Sequence, residues 1–120
     1  MKEALRLYPP APTVARAVEK TTDVGGYTFR KGQVVNILIY AIHHLEEYWP
    51  RAQEFLPERF IRGTDLYQAC NMSAWMPFGG GPRICIGMEL ALTEMKLVLA
   101  YLLHNFTFYP TEAEVHRVLY

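Results

Sequence analysis

Eleven residues, "PFGGGPRICIG" from Pro77 to Gly87, hold four glycines, two prolines, one arginine and one cysteine immediately before a long apolar run. Several glycine-rich chemistries can be tested on this stretch. A phosphate-cradling loop needs Gly-Lys followed by Ser or Thr, which is absent, and a dinucleotide loop needs glycine where Ile84 stands. A cysteine phosphatase needs an arginine six places after Cys85, and that position is Ala91. What survives is a cysteine before a helix, where unpaired N–H groups and the positive end of the helix dipole favour thiolate over thiol. A soft thiolate is a ligand for haem iron. Glycines at 79 to 81 and at 87 remove the β-carbons that keep a flat macrocycle away from backbone. Arg83 is placed to reach a haem propionate, and Phe78 to shield the sulfur from water.

This stretch resembles the haem-binding signature of the cytochromes P450, Phe-x-x-Gly-x-Arg-x-Cys-x-Gly, matched at Phe78, Gly81, Arg83, Cys85 and Gly87. "EALR", Glu3 to Arg6, matches the family's Glu-x-x-Arg, and "FLPERF", Phe55 to Phe60, its Pro-Glu-Arg-Phe stretch. Glu3 and Arg6 share a helix face at i and i+3, and Arg59 brought onto the same carboxylate makes a charge-assisted triad that locks the intervening meander to the helix. The resemblance spans essentially the whole chain. It implies haem b with Cys85 as axial ligand, and a propionate-binding role for Arg16. It also implies a monooxygenase that inserts one atom of O₂ into a small lipophilic substrate, with electrons from a reductase or a ferredoxin-type donor. Relatives often carry proline near positions 46 and 52, where this chain has Glu46 and Ala52, which leaves the meander's shape open. The style of "YW" and "FLPERF" is that of eukaryotic, membrane-associated members, which points to the endoplasmic reticulum rather than the cytoplasm, through an N-terminal anchor this chain lacks.

The elements that must position these residues follow from pattern. Met1 to Leu7 reads as the end of a helix stopped by Pro9 and Pro10. Pro12 to Tyr40 is strand territory, with Tyr27–Phe29 and Val34–Tyr40 expected to pair across Lys31 and Gly32 as a hairpin. His43 to Phe60 reads as an aromatic-pinned meander and Ile61 to Trp75 as a polar, flexible surface excursion. Ile86 to Phe106 is the clearest helix, apolar but for a stripe at Glu89, Thr93 and Lys96, and Phe106 to Phe108 restarts strand-like alternation. The expected fold is mainly α with small β-sheets, α+β, forming the haem-proximal, C-terminal part of the P450 fold. Residues 1–120 are expected to be one partial domain, cut at the N-terminus and at the C-terminus.

Composition narrows the remaining classes. Of the 120 residues 51% are hydrophobic, and twelve Lys and Arg balance twelve Asp and Glu, which disfavours disorder and removes a basic footprint for nucleic acid. Two cysteines, Cys70 and Cys85, make no disulfide framework, and no paired spacing supports structural zinc. His43 and His44 are neighbours on what reads as an extended segment, so they point apart and make a poor metal pair. Cys70 reads as an ordinary thiol, and Trp75 and Met76 as packing beside the glycine loop. Two alternatives to catalysis stay open: a haem-binding sensor or carrier without turnover, and a truncated product without activity. The oxygen-activating helix of the resembled family lies before Glu-x-x-Arg, so the isolated chain is expected to be inactive.

Overall fold

The computed structural model describes residues 1–109 and divides into two units, Met1–Cys85 and Ile86–Tyr120, each considered by itself. The architecture is α+β, four helices and two small antiparallel sheets among the described residues. Helix α1 (Lys2–Leu7) ends at Tyr8, just before the proline pair that lacks the N–H groups to continue it. Strand β1 (Val14–Ala17) follows, then β2 (Thr22–Val24), β3 (Tyr27–Phe29) and β4 (Val34–Ile37).

Strand pairing corrects the expected hairpin. β3 pairs with β2, Val24 opposite Tyr27, and β4 pairs with β1, Val14 opposite Ile37. The two turns explain the choice. Gly25 and Gly26 have φ of 58° and 82°, so both central residues of a two-residue turn are left-handed, as the tight turn that matches strand twist requires. At Arg30–Gln33 only Gly32 is left-handed (φ 88°), and the Gln33 N–H bonds to the Arg30 carbonyl at 3.1 Å. That is the pattern of a type II turn, which splays strands instead of pairing them. β4 therefore leaves β3 and continues onto β1, extended by Val18 and Gln33 bonding at 2.9 Å.

Beyond β4 the expected strand to Tyr40 stops early, and Ile39–His43 forms a short helix, α2. The meander wraps Trp49, which is fully buried, with Ala52, Cys70 and Ala74. Phe60 and Trp75 extend this cluster edge to face, their ring centroids 5.8 Å apart. The segment 61–75 is thus no loose excursion. Thr64 caps α3 (Asp65–Ala69) by accepting the Tyr67 N–H at 3.1 Å, and the segment delivers Cys70 and Ala74 to the core.

Where the resembled family often has prolines, a carboxylate holds the turn: Glu46 accepts the N–H of Arg51 at 2.7 Å and of Ala52 at 2.9 Å. That support sits beside the one left-handed non-glycine residue among those described, Arg51 at φ 60°.

In the second unit α4 runs Met88–Asn105 with Gly87 as N-cap, two residues later than the expected start at Ile86. Phe106–Phe108 forms no strand, and the rest of the expected tail pattern lies outside the described residues.

Candidate functional site

The loop that carries Cys85 is built from two turns and one closing bond. The Gly79 N–H bonds to the Met76 carbonyl at 2.9 Å and the Ile84 N–H to the Gly81 carbonyl at 3.1 Å. Each turn has proline, Pro77 or Pro82, at its second position, where a fixed φ costs nothing. The Cys85 N–H then closes on the Phe78 carbonyl at 2.9 Å. Gly79 and Gly81 adopt φ of 73° and 68°, which only glycine takes without strain. Gly80 has an extended φ of −162°, and there, as at Gly79 and Gly81, a β-carbon meets nothing of the chain within 4 Å.

Beside the loop lies a cavity of about 420 Å³ lined by Pro10, Ala11, Val14, Arg16, Pro77, Phe78, Gly79, Arg83 and Cys85. Val14 and Arg16 reach it together because alternate residues of β1 share one face. Of Thr13, Val14 and Ala15 only Val14 lines the cavity. The Cys85 thiol is exposed. Neither Arg16 nor Arg83 has a carboxylate partner among the described residues, and the Arg16 guanidinium bonds only the Ala15 carbonyl, at 2.9 Å. An apolar wall, one accessible soft donor and two unneutralised guanidiniums suit a flat apolar group with anionic edges and a metal that takes sulfur. Gly81 shapes the loop and not the cavity wall, while Gly87 belongs to the second unit as the N-cap of α4. No cluster of three His, Cys, Asp or Glu that would hold a metal unaided occurs among the described residues.

Glu3, Arg6 and Arg59 meet in the interior, all three fully or almost fully buried. Glu3 Oε2 accepts from Arg6 Nε at 2.9 Å. Its Oε1 accepts from a terminal nitrogen of Arg6 at 2.9 Å, from Arg59 Nε at 3.1 Å and from the Leu56 N–H at 3.0 Å. The remaining guanidinium N–H groups go to carbonyls: Arg6 to His43 at 2.6 Å and Glu54 at 3.2 Å, Arg59 to Pro50 and to Arg51 at 2.5 Å. Arg59 also donates to Cys70 Sγ at 3.8 Å, and Arg6 lies over the Trp49 ring, 5.5 Å from its centroid. The network therefore ties α1 to the segment from Glu54 to Arg59 with nearly every charged donor used, as burial of charge requires.

His43 lies on a helix and not on the expected extended segment, and it is fully buried. Its Nδ1 lies 3.0 Å from the Arg6 carbonyl, and Nε2 accepts the Met76 N–H at 3.0 Å. An acceptor role at Nε2 and a carbonyl at Nδ1 define one neutral tautomer, protonated at Nδ1. Burial lowers the pKa from 6.5 to about 4, against the pull of the Arg6 carbonyl and with added repulsion from the Arg6 guanidinium. The sign of the pH effect follows. Between pH 6.5 and 4 the unfolded chain holds a proton at this site that the folded one does not, so stability rises with pH across that window. His43 is expected to cost the fold about 3 kcal/mol on going from pH 7.5 to below pH 4. Denaturant midpoints of the protein and of His43→Gln across that range measure it, and the variant's profile should be flatter.

The family model for cytochrome P450 matches residues 1–118. Curated relatives include cytochrome P450 3A15 of Cavia porcellus, 44% identical over 110 residues, covering 92% of this chain and 22% of the relative. Cytochrome P450 3A25 of Mus musculus is 45% identical over 116 residues, 93% of this chain and 22% of that one. Taurochenodeoxycholic 6 alpha-hydroxylase of Sus scrofa is 41% identical over 116 residues, 96% of this chain and 22% of the relative. The chain thus spans about a fifth of the length of the curated relatives it matches.

Proposed function

Because this chain belongs to the cytochrome P450 family, we propose that it forms the haem-proximal part of a monooxygenase, in which Cys85 would hold the haem as a thiolate. The observation that carries this is the cavity lined together by an exposed thiol, Phe78, Val14 and two guanidiniums that have no carboxylate partner among the described residues. A haem held by thiolate supplies O–O cleavage and delivery of one oxygen atom to an organic substrate.

The chain's own residues act as follows. Cys85 would hold the iron as a thiolate, its proton having gone to solvent. Closure of its own N–H onto Phe78 fixes where the sulfur stands. Phe78 and Pro77 would keep water from that side, and Arg16 and Arg83 would hold an anionic edge by charge-assisted hydrogen bonds. Gly79 and Gly81 allow the loop its turns, Gly79 would also let a flat group approach the backbone at the cavity, and Gly87 starts α4. Glu3, Arg6 and Arg59 hold the surrounding segments in place without touching the cavity.

We assign a lipophilic small-molecule substrate and a reductase or ferredoxin-type electron donor to the whole protein. Hydroxylation is the activity named for the Sus scrofa relative, which supports this class. The mammalian origin of the relatives supports a site at the endoplasmic reticulum membrane, although no described helix of this chain is long and apolar enough to cross one. The test is to purify the intact protein with haem, record the carbonyl-complex spectrum, and assay oxygenation of lipophilic substrates with a reductase. A thiolate-type spectrum with product is expected. Haem retention with no product from any substrate favours a sensor or carrier, and absence of the thiolate spectrum defeats the reading.

A further inference from the structure

His43 stands where three separate pieces of the first unit meet. Its main-chain carbonyl accepts from the Arg6 guanidinium at 2.6 Å, and its ring Nδ1–H returns a bond to the Arg6 carbonyl at 3.0 Å. Its other ring nitrogen faces Met76, whose own carbonyl receives Gly79 and so begins the Cys85 loop. Pro77, the next residue, is buried and has no N–H to anchor anything.

We propose that His43 is the positioning residue that seats the Cys85 loop: held by the Arg6 carbonyl at Nδ1, it presents Nε2 as the fixed acceptor for the Met76 N–H from which the loop departs. A continuous chain of bonds then runs from the Glu3 carboxylate through Arg6 and His43 to Met76 and the thiol loop. The imidazole is suited to this because it alone offers a donor and an acceptor on opposite edges of one rigid ring. Trp49 packs edge to face with the ring, centroids 6.4 Å apart, and the two bonds at opposite edges fix which nitrogen faces which partner. The consequence for the ligand rests on the haem-thiolate reading, whereas the seating of the loop rests on these distances alone.

Two amides separate the roles of the two nitrogens. Glutamine places its oxygen where Nε2 was and keeps the acceptor for Met76. Asparagine reproduces the donor at Nδ1 but cannot reach Met76, and phenylalanine keeps the ring shape and neither bond. In the haem-loaded intact protein, Met76 amide exchange is expected to be about tenfold faster in His43→Asn and His43→Phe than in His43→Gln. The thiolate-type carbonyl spectrum should likewise decay about tenfold faster in the first two, at a temperature where far-ultraviolet circular dichroism is unchanged.

A merely structural histidine would lose the spectrum and the fold together, in all three variants, and that result overturns the proposal. So does a glutamine variant that behaves like phenylalanine in both measurements. Should His43→Phe fail to fold, the glutamine and asparagine pair decides. A wild-type protein with no thiolate spectrum would defeat the proposed function, and Met76 exchange would still decide whether His43 seats the loop.

Discussion

Cys85→Ser is expected to abolish the thiolate-type carbonyl spectrum and to lower haem retention by about 100-fold or more. The scale follows from metal sites generally, where changing a residue that only supports a ligand already costs roughly 10- to 100-fold. Serine keeps the loop intact, because the closing bond uses the backbone N–H of residue 85 and not its side chain. What it removes is the soft donor, and a neutral hydroxyl does not give up its proton to iron as a thiol does. Cys70→Ser is the matching control. Its sulfur is buried beside Arg59 and Trp49, away from the cavity, so the spectrum should be that of wild type. Measuring both variants by carbonyl spectrum and by haem content after gel filtration separates ligand loss from general damage. An unchanged spectrum in Cys85→Ser would end the assignment of the cavity.

The Cys85 loop was legible because everything that shapes it is local. Two prolines, three adjacent glycines and a cysteine within nine residues specify turns whose closing bonds span three and seven residues. The strand pairing was misread for an equally local reason. Gly25-Gly26 is the stronger hairpin signal, whereas at Lys31-Gly32 a single left-handed residue turns the chain away. His43 was beyond sequence reasoning of this kind. Its partners lie 33 and 37 residues away, and nothing within a few positions of it says that the ring will be buried. The same holds for Cys70 and Ala74, whose polar neighbourhood suggested a surface excursion until Trp49 and Ala52 covered them. The meeting of Glu3, Arg6 and Arg59 spans 56 residues. It was visible only through the family resemblance, since a lone i, i+3 pair is common on helices and contributes about 0.2–0.5 kcal/mol when solvated.

Burial turns that modest pair into the largest stability effect expected in the first unit. Glu3→Gln preserves shape but removes the one negative charge between two interior guanidiniums. Both Glu3 oxygens accept N–H groups, so whichever position the new amide nitrogen takes, it faces a donor. Two positive charges are then left without a counterion in a region that excludes water, and breaking a buried pair in this way costs about 3–5 kcal/mol. Arg59→Leu is expected to cost less. It leaves Glu3 still bonded twice by Arg6 and once by the Leu56 N–H, and frees the Pro50 and Arg51 carbonyls and the Cys70 sulfur, none of them charged. The exposed Arg51–Glu54 pair has the same i, i+3 spacing and a shorter contact, 2.5 Å, so Glu54→Gln isolates the effect of burial. Water and salt screen that pair, and its loss should leave the denaturant midpoint where it was. Urea melts of the three variants in the intact protein should therefore rank Glu3→Gln far below Arg59→Leu, with Glu54→Gln at wild type. If Glu3→Gln melts with Glu54→Gln, the buried triad contributes no more than a surface pair and cannot be what fastens α1 to the meander.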